Sequence, residues 1–180
     1  MEKYKLILTS LILSLFISLF INSNSKAQQD VYNERDSIIV AAKEIINSSQ
    51  ICALITLDKN GLPHIRTMDT FPPEKGFVVW FGTNKFSRKV KEIKNNPNVT
   101  IYYTVPTNND YVVISGKAEI IDDKKEKEKR WKKEWEKYYP NKKEKYILIK
   151  VTPLELDVLT SKHNLTPDIK SWIIPNIKFR

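Results

Sequence analysis

The chain of 180 residues has the composition of a folded globular domain and a basic charge balance. It contains 30 lysines and arginines against 21 aspartates and glutamates, a formal net charge of +9, with 41% hydrophobic and 28% charged residues. This composition excludes an intrinsically disordered or collagen-like chain. The single cysteine, Cys52, excludes an intrachain disulfide, and with two histidines the sequence does not favour a zinc site. Fold stability must therefore come from packing.

The first 27 residues have the pattern of a secretory signal. Lys3 and Lys5 precede an uncharged apolar run to Ile21, and Ser25 and Ala27 supply the small residues that a cleavage site requires. We expect cleavage before Gln28, which leaves residues 28–180 as a single domain in the periplasm or outside the cell. The alternative is an uncleaved anchor, since the apolar run is near the lower limit of about 17 residues for a membrane span. Any membrane contact is then expected through this segment alone.

The rest of the chain alternates short apolar strands with a few helices. Residues 31–46 have helical spacing of apolar side chains, and Asn60-Gly61 predicts a hairpin between strands 51–57 and 63–71. Further strands are predicted at 77–83, 99–105, 111–121, 146–151 and 154–159, with helices at 84–96 and 123–139. The absence of βαβ alternation predicts a mainly β protein with flanking helices, built as an antiparallel barrel.

Much of the basic charge lies between Lys124 and Lys145, but glutamates are interleaved with the lysines there. This pattern is typical of a solvated helix face, so we expect no nucleic-acid partner. Trp131 and Trp135 stand four residues apart in this predicted helix and indicate a core-facing stripe. Lys132 in the same helix is expected to lie far from the site predicted below.

A candidate anion site falls where a strand meets a helix. The segment Thr83 to Lys89 places Ser87, Arg88 and Lys89 in or near the first turn of that helix. Cations there oppose the helix dipole by roughly 0.3–1 kcal/mol each, whereas a bound anion is favoured by the dipole and by the unpaired N–H groups. Arg66, in the hairpin strand, could add a guanidinium, which holds phosphate through two parallel hydrogen bonds. The alternative is that these residues are ordinary solvated surface charges.

Four blocks in this region resemble the pyridoxamine 5′-phosphate oxidase-like family, and in particular its general-stress-protein branch. The blocks are Gly-Leu-Pro-His-Ile-Arg-Thr-Met (61–68), Phe-Gly-Thr-Asn-Lys-Phe-Ser-Arg-Lys (81–89), Asn-Asn-Pro-Asn-Val (95–99) and Gly-Lys-Ala-Glu (116–119). They cover about half of the chain that follows the signal. The resemblance implies an FMN-binding antiparallel split β-barrel.

The resemblance also assigns roles to individual residues. It implies that Arg66, Arg88 and Lys89 hold the FMN phosphate, with help from Thr83 and Ser87. It further implies that the isoalloxazine ring lies along the strand of Thr67, Met68 and Asp69, close to Gly82. Tyr111 corresponds to a residue that reaches the flavin of the other subunit, so a homodimer is implied.

The resemblance leaves three functions possible and does not fix the ligand. The oxidase's Arg-x-His block for pyridoxal phosphate is not recognisable, so pyridoxamine phosphate oxidation is not expected. An FMN-dependent oxidoreductase is the first hypothesis, and a non-catalytic flavin carrier or stress protein is the second. A third is haem binding with His64 or His163 as axial ligand. The sequence leaves the substrate and electron donor open, and equally the choice among FMN, a deazaflavin and haem.

Overall fold

The computed structural model describes residues 34–49, 51–139 and 142–179. Contacts divide the chain into two compact units, residues 1–37 and 38–180. Of the first unit, only residues 34–37 are described, as the opening turn of helix α1 (34–48). The predicted signal at 1–27 lies outside the described residues, so its cleavage and the domain boundary at residue 28 stay predictions. In the described ranges, no helix combines the length and apolar character needed to cross a membrane.

The second unit is built on a seven-stranded sheet, and its antiparallel pairing confirms the predicted mainly β class. Strand β7 (Asn176–Lys178) is not among the predicted strands. The strands follow the order β2-β1-β4-β5-β6-β3, with β7 paired to β6. Their bounds are β1 (Ile51–Leu57), β2 (Pro63–Asp69), β3 (Val79–Asn84), β4 (Asn98–Val105), β5 (Asp110–Ile121), β6 (Tyr146–Leu159) and β7 (Asn176–Lys178). The other helices are α2 (Arg88–Asn95), α3 (Lys124–Lys129) and α4 (Lys142–Lys145), with 3-10 turns at Lys75–Phe77 and Lys133–Trp135.

The predicted hairpin between β1 and β2 is confirmed. Gly61 has φ of +82°, a conformation that glycine adopts without steric cost. The Asp58 carboxylate accepts hydrogen bonds from the Asn60 and Leu62 N–H groups, at 2.8 and 2.9 Å. These bonds fix the turn, and the turn fixes the register in which Arg66 lies opposite Leu54.

The sheet curls so that its edge strands, β2 and β3, approach each other at one end. The Phe71 N–H, just beyond β2, donates to the Trp80 carbonyl of β3 at 3.3 Å. The core lies inside this curl, where Leu54, Ile101, Ile114 and Leu156 form a fully buried row across four paired strands. Each such side chain stabilises the fold by about 1.5–3 kcal/mol through burial. Helix α1 adds Ile38, Ala41, Ala42, Ile45 and Ile46 to the same cluster.

The prediction of two closing strands is wrong, because β6 runs unbroken from Tyr146 to Leu159 through Pro153. Pro153 pairs with Gly116 where a bulge between Ser115 and Gly116 shifts the register. A bulge tolerates a residue without an N–H donor. Gly116 is required there, since a Cβ would lie 2.5 Å from the Thr152 carbonyl oxygen.

The predicted helix over 123–139 is also wrong beyond its first two turns. Asp123 caps α3 by accepting from the Glu126 N–H at 2.9 Å, but α3 ends at Lys129. Arg130 then leaves helical geometry and is buried, with its guanidinium 3.6 Å from the centre of the Trp80 ring. Trp135 packs with Trp80, Tyr146 and Leu148 in a second hydrophobic cluster. The tryptophans do face the interior, but tertiary packing rather than helical periodicity places them.

Candidate functional site

Arg66 projects from the inner face of β2 and is held by two groups from neighbouring elements. One terminal nitrogen donates to Thr56 Oγ1 on β1 at 2.5 Å, and the other donates to Glu92 Oε2 on α2 at 2.9 Å. Thr56 and Glu92 are both buried, whereas Arg66 retains partial exposure. The guanidinium is therefore fixed on its protein side, and it carries five N–H donors in all.

A second group of polar side chains lies at the junction of β3 and α2. Ser87 is the N-cap residue of α2, but its hydroxyl makes no cap bond to the helix. The Ser87 hydroxyl instead lies 3.3 Å from that of Thr83, and Lys89 Nζ donates to Thr83 Oγ1 at 3.1 Å. The structure thus brings together Thr83, Ser87 and Lys89. It leaves the amide end of an eight-residue helix beside them.

The charge of Arg66 acts on Lys89, so the Arg66 contacts and the Thr83–Ser87–Lys89 group belong to one site. Burial first, and the positive charge of Arg66 second, lower the pKa of Lys89, while Glu92 acts in the opposite direction. A like charge lowers a lysine pKa only when the two cations lie close. Arg66 and Lys89 are 23 positions apart in the sequence, so the fold creates their proximity. We call the set Arg66, Thr83, Ser87 and Lys89 the cationic cluster.

Arg88 lies beside the cationic cluster but points to solvent. Its side chain is 65% exposed, and Nε lies 3.1 Å from Glu92 Oε1, four residues further along α2. The structure therefore puts Arg88 in a weaker position to hold an anion than Lys89, although the sequence predicts the same role for both. The charge of Arg88 still adds to the positive potential at this end of the helix.

Glu92 is the residue of this site that the sequence reading missed. Burial acts to raise its pKa, but hydrogen bonds from Thr56 and Arg66 outweigh burial and hold the pKa below its usual range. The available signal was an acidic residue four positions after Arg88, the spacing of an ion pair along a helix. That spacing does not reveal the contact with Arg66, which is 26 positions away.

The strand segment predicted to contact a flavin ring has three different environments. Thr67 is exposed on the outer face, and Met68 is buried on the inner face opposite Cys52. Asp69 is exposed and accepts from Lys132 Nζ at 2.7 Å, while the same ammonium donates to the Thr70 carbonyl at 3.2 Å. The expectation that Lys132 is remote is therefore wrong, because the chain turns back to β2 after α3.

Gly82 has a structural reason to be glycine. A Cβ at this position would lie 2.4 Å from Cζ3 of Trp135 and 2.7 Å from Cε2 of Tyr146. The adjacent β3 residue Thr83 is buried and pairs with Ile147. The bare backbone at Gly82 is thus filled by this chain's own aromatic rings, and a role for Gly82 beside a flavin stays a prediction.

Tyr111 lies away from the cationic cluster of its own chain. It is on β5, three strands from β2 in the sheet order, opposite Thr104 and Leu159. Its ring centroid is 5.7 Å from that of Tyr102, which is partly exposed. A contact between Tyr111 and a flavin of another subunit stays a prediction.

The histidines and the cysteine are committed to other contacts. His64 Nε2 lies 3.6 Å from Asp58 Oδ2 and 3.7 Å from Glu92 Oε1, and His163 Nε2 lies 2.6 Å from Glu44 Oε2. Burial raises the pKa of the Cys52 thiol to about 12, so this group is not a ready nucleophile. His163 borders a cavity of about 100 Å³, which it lines together with Glu44 and Lys162. This cavity is smaller than the roughly 300–1,000 Å³ of sites that hold drug-sized ligands, so the site geometry does not favour haem.

Comparison with known proteins identifies a family for this chain. A family model described as "Pyridoxamine 5′-phosphate oxidase like" matches residues 39–173. General stress protein 26 of Bacillus subtilis is 28% identical over 122 residues, which is 66% of this chain and 85% of that protein. The crystal structure of General Stress Protein 26 from Bacillus anthracis superposes with a TM-score of 0.58 at 28% identity, over 66% of this chain and 91% of that one.

A more distant solved structure is a pyridoxamine 5′-phosphate oxidase-related, FMN-binding protein from Nostoc punctiforme. It superposes with a TM-score of 0.56 at 17% identity, over 79% of this chain and 94% of that one. The fold is accordingly an antiparallel split barrel, with its cationic cluster between β2 and α2. The chain belongs to the pyridoxamine 5′-phosphate oxidase-like family.

Proposed function

We propose that this protein binds FMN and that the cationic cluster holds the FMN phosphate. The observation that carries the proposal is the placement of two restrained cations: Arg66 donates to Thr56 and Glu92, and Lys89 Nζ donates to Thr83 Oγ1 at 3.1 Å. Burial first, and the charge of Arg66 second, lower the pKa of Lys89. Glu92 compensates part of this positive charge on the protein side, at 2.9 Å from Arg66, and an anion on the open side would compensate the rest. A phosphate ester supplies that anion, and the Thr83 and Ser87 hydroxyls supply further hydrogen-bond partners.

Two further observations support a flavin as the carrier of that phosphate. The Nostoc punctiforme protein of the same fold is described as FMN-binding, and the B. subtilis and B. anthracis relatives are general stress proteins. The strand of Thr67, Met68 and Asp69 extends directly from Arg66, so a ring attached to a bound phosphate could lie along its exposed edge. Bound FMN would supply electron and hydride transfer, and this chain would supply binding and orientation.

A homodimer is part of the proposal, because the outer face of the sheet is apolar and open. Ile51, Ile65, Tyr102 and Leu154 on this side are between 36% and 69% exposed. A groove of about 250 Å³ beside them is lined by Ile55, Leu57, Val99 and Leu154 among others. Tyr111 lies next to Tyr102, so a second copy packed on this face would bring its Tyr111 to the interface.

The proposal extends to catalysis and to cellular location. We propose an FMN-dependent oxidoreductase, and the alternative is a flavin carrier without a dedicated substrate. We also propose export, from the signal pattern in residues 1–27. Turnover of a substrate with flavin reduction would separate the enzyme from the carrier.

Titration of flavin fluorescence with FMN and riboflavin tests the phosphate assignment. Arg66→Ala and Lys89→Ala should each weaken FMN binding by about ten- to a hundredfold, since a charge-assisted hydrogen bond contributes about 1.5–3 kcal/mol. Riboflavin binding should change little, because riboflavin lacks the phosphate. The matched control is Lys43→Ala on the exposed side of α1, which removes the same charge from a helix that tolerates alanine.

The Lys43→Ala control also shows which results would contradict the phosphate site. General attraction between a basic protein and an anion is screened by salt, so Lys43→Ala should change FMN affinity by roughly twofold or less. Equal small losses for Lys89→Ala and Lys43→Ala would contradict the site. Equal losses for FMN and riboflavin in Arg66→Ala would also contradict it.

A further inference from the structure

Glu92 is a buried carboxylate at the back of the cationic cluster. Its side chain is 4% exposed, although it belongs to a helix that is otherwise strongly basic. Burying a carboxylate is costly unless it is paired and hydrogen-bonded. Glu92 must therefore be stabilised by the groups around it, and all of them belong to the site or border it.

The two carboxylate oxygens of Glu92 have different partners. Oε2 accepts from the Thr56 hydroxyl at 2.5 Å and from Arg66 at 2.9 Å. Oε1 lies 3.1 Å from Arg88 Nε and 3.7 Å from His64 Nε2, yet within the described residues it has no hydrogen bond of good geometry. The well-formed contacts of Glu92 are thus directed at Arg66 and at the hydroxyl that also holds Arg66.

Thr56, Glu92 and Arg66 form a closed triangle. Thr56 Oγ1 accepts from Arg66 and donates to Glu92, while Glu92 also accepts directly from Arg66. Among the bonds to the described residues, this arrangement uses one N–H on each terminal nitrogen of the guanidinium, and three of its five donors stay for another ligand. An arginine restrained in this way loses less side-chain entropy when it binds an anion.

We infer that Glu92 is a positioning residue, which holds Arg66 in the orientation that binds a phosphate ester. The inference rests on the proposed function and adds to it the reason why a carboxylate stands in an anion site. The opposite interpretation is that Glu92 competes with phosphate for Arg66. The two interpretations predict opposite changes in phosphate affinity when Glu92 loses its charge. Loss of a competing anion strengthens phosphate binding, whereas loss of a positioning partner weakens it.

Glu92→Gln tests the sign with little change of shape. The amide still accepts a hydrogen bond, but one roughly half as strong as the charge-assisted bond. FMN affinity should therefore fall by roughly three- to tenfold, with riboflavin affinity unchanged. Competition by inorganic phosphate against FMN should weaken in parallel, which shows that the phosphate site itself has changed.

A double-mutant cycle separates positioning from a general structural effect. If Glu92 acts through Arg66, FMN binding to Arg66→Ala/Glu92→Gln should be weakened no more than in Arg66→Ala alone, within about twofold. Additive losses in the double variant, a gain of FMN affinity in Glu92→Gln, or an equal loss for riboflavin would each overturn the inference.

Thr56→Val is the second variant, and it keeps the charge of Glu92 while removing the hydroxyl of the triangle. It should lower FMN affinity in the same direction and leave riboflavin binding unchanged, and it decides the question if Glu92→Gln does not fold. Wild-type protein that does not prefer FMN over riboflavin overturns both the proposed function and this inference. A wild-type preference that Arg66→Ala abolishes but that Glu92→Gln and Thr56→Val leave intact overturns the inference alone.

Discussion

The Trp135 ring lies against Gly82 so closely that a Cβ on residue 82 would come within 2.4 Å of it. Trp135 is 9% exposed and is surrounded by Phe71, Trp131 and Tyr146, so it has little room to move. Gly82→Ala should therefore lower the free energy of unfolding by about 1–3 kcal/mol, the usual cost of overpacking. Denaturant titration followed by circular dichroism measures this change.

The same substitution in a Trp135→Ala background provides the control. Removal of the ring alone should cost about 3–5 kcal/mol. Addition of Gly82→Ala should then cost less than it does in the wild type, because the two Trp135 atoms that the Cβ would meet are gone and only the approach to Tyr146 Cε2 at 2.7 Å remains. A cost that is the same in both backgrounds would show that Trp135 is not the reason for glycine at this position.

FMN binding should weaken with rising pH through the titration of Lys89. Burial and Arg66 hold the pKa of Lys89 below its ordinary value of 10.5 in the free protein. A bound phosphate favours the charged ammonium, so affinity is full below that lowered pKa and falls as pH rises through it. The FMN-to-riboflavin affinity ratio, measured between about pH 7 and pH 10, reports this fall without contributions from the flavin ring.

Lys89→Met is the control for this pH dependence. The variant should bind FMN more weakly at neutral pH, and its affinity ratio should be flat over the range in which the wild-type ratio falls. A slope in Lys89→Met as steep as that of the wild type would assign the titration to another group.

Local spacing alone predicts only the contiguous part of this site, whereas Arg66 joins the predicted site through the family resemblance. Ser87, Arg88 and Lys89 follow one another at a strand–helix junction, so their shared location needs no knowledge of the fold. The Arg66–Glu92 contact joins residues 26 positions apart, and only the packing of α2 on the barrel creates it.

The position of Lys132 could not be predicted from the sequence, because it depends on where helix α3 ends. The periodicity of the sequence from residue 123 onward favours a helix, but it cannot show where the chain leaves that helix. Arg130 ends it because its side chain is buried on Trp80 and paired with Glu74 and Glu126. Glu126 is a local partner four residues earlier, but Glu74 is 56 positions away and Trp80 lies on β3, so tertiary contacts override local propensity there.

Glu92 should make the fold sensitive to acid. Because hydrogen bonds hold its folded pKa below the ordinary value of 4.5, its contribution to stability is present above that value and is lost as pH falls through the folded pKa. The free energy of unfolding should thus decrease from about pH 5 downward, and less steeply in Glu92→Gln. Identical slopes in the two proteins, measured by urea titration at a series of pH values, would contradict this role.

Exported protein should begin at Gln28. The apolar run after Lys3 and Lys5 ends before the small residues Ser25 and Ala27, which mark the cleavage position. The intact mass of protein recovered from outside the cytoplasm checks this start. Recovery of the full-length chain only from the membrane fraction would instead support an uncleaved anchor.

Ile65→Glu should convert the protein from a dimer to a monomer. Ile65 is 69% exposed on the outer face of β2, so a charge there is compatible with the folded subunit. The same charge would have to be desolvated if a second copy packs on this face, at a cost of several kcal/mol. Light scattering at micromolar concentration should give a dimer for the wild type and a monomer for the variant.

Val40→Glu is the matched control for this experiment, because Val40 is 56% exposed on α1 rather than on the sheet. It should leave the dimer intact. If Tyr111 of one subunit contacts the flavin of the other, Ile65→Glu should weaken FMN and riboflavin binding by the same factor. That pattern differs from Arg66→Ala, which should affect FMN alone, since a lost ring contact is common to both flavins. A wild-type monomer in the presence and absence of FMN would contradict the dimer and the shared site together.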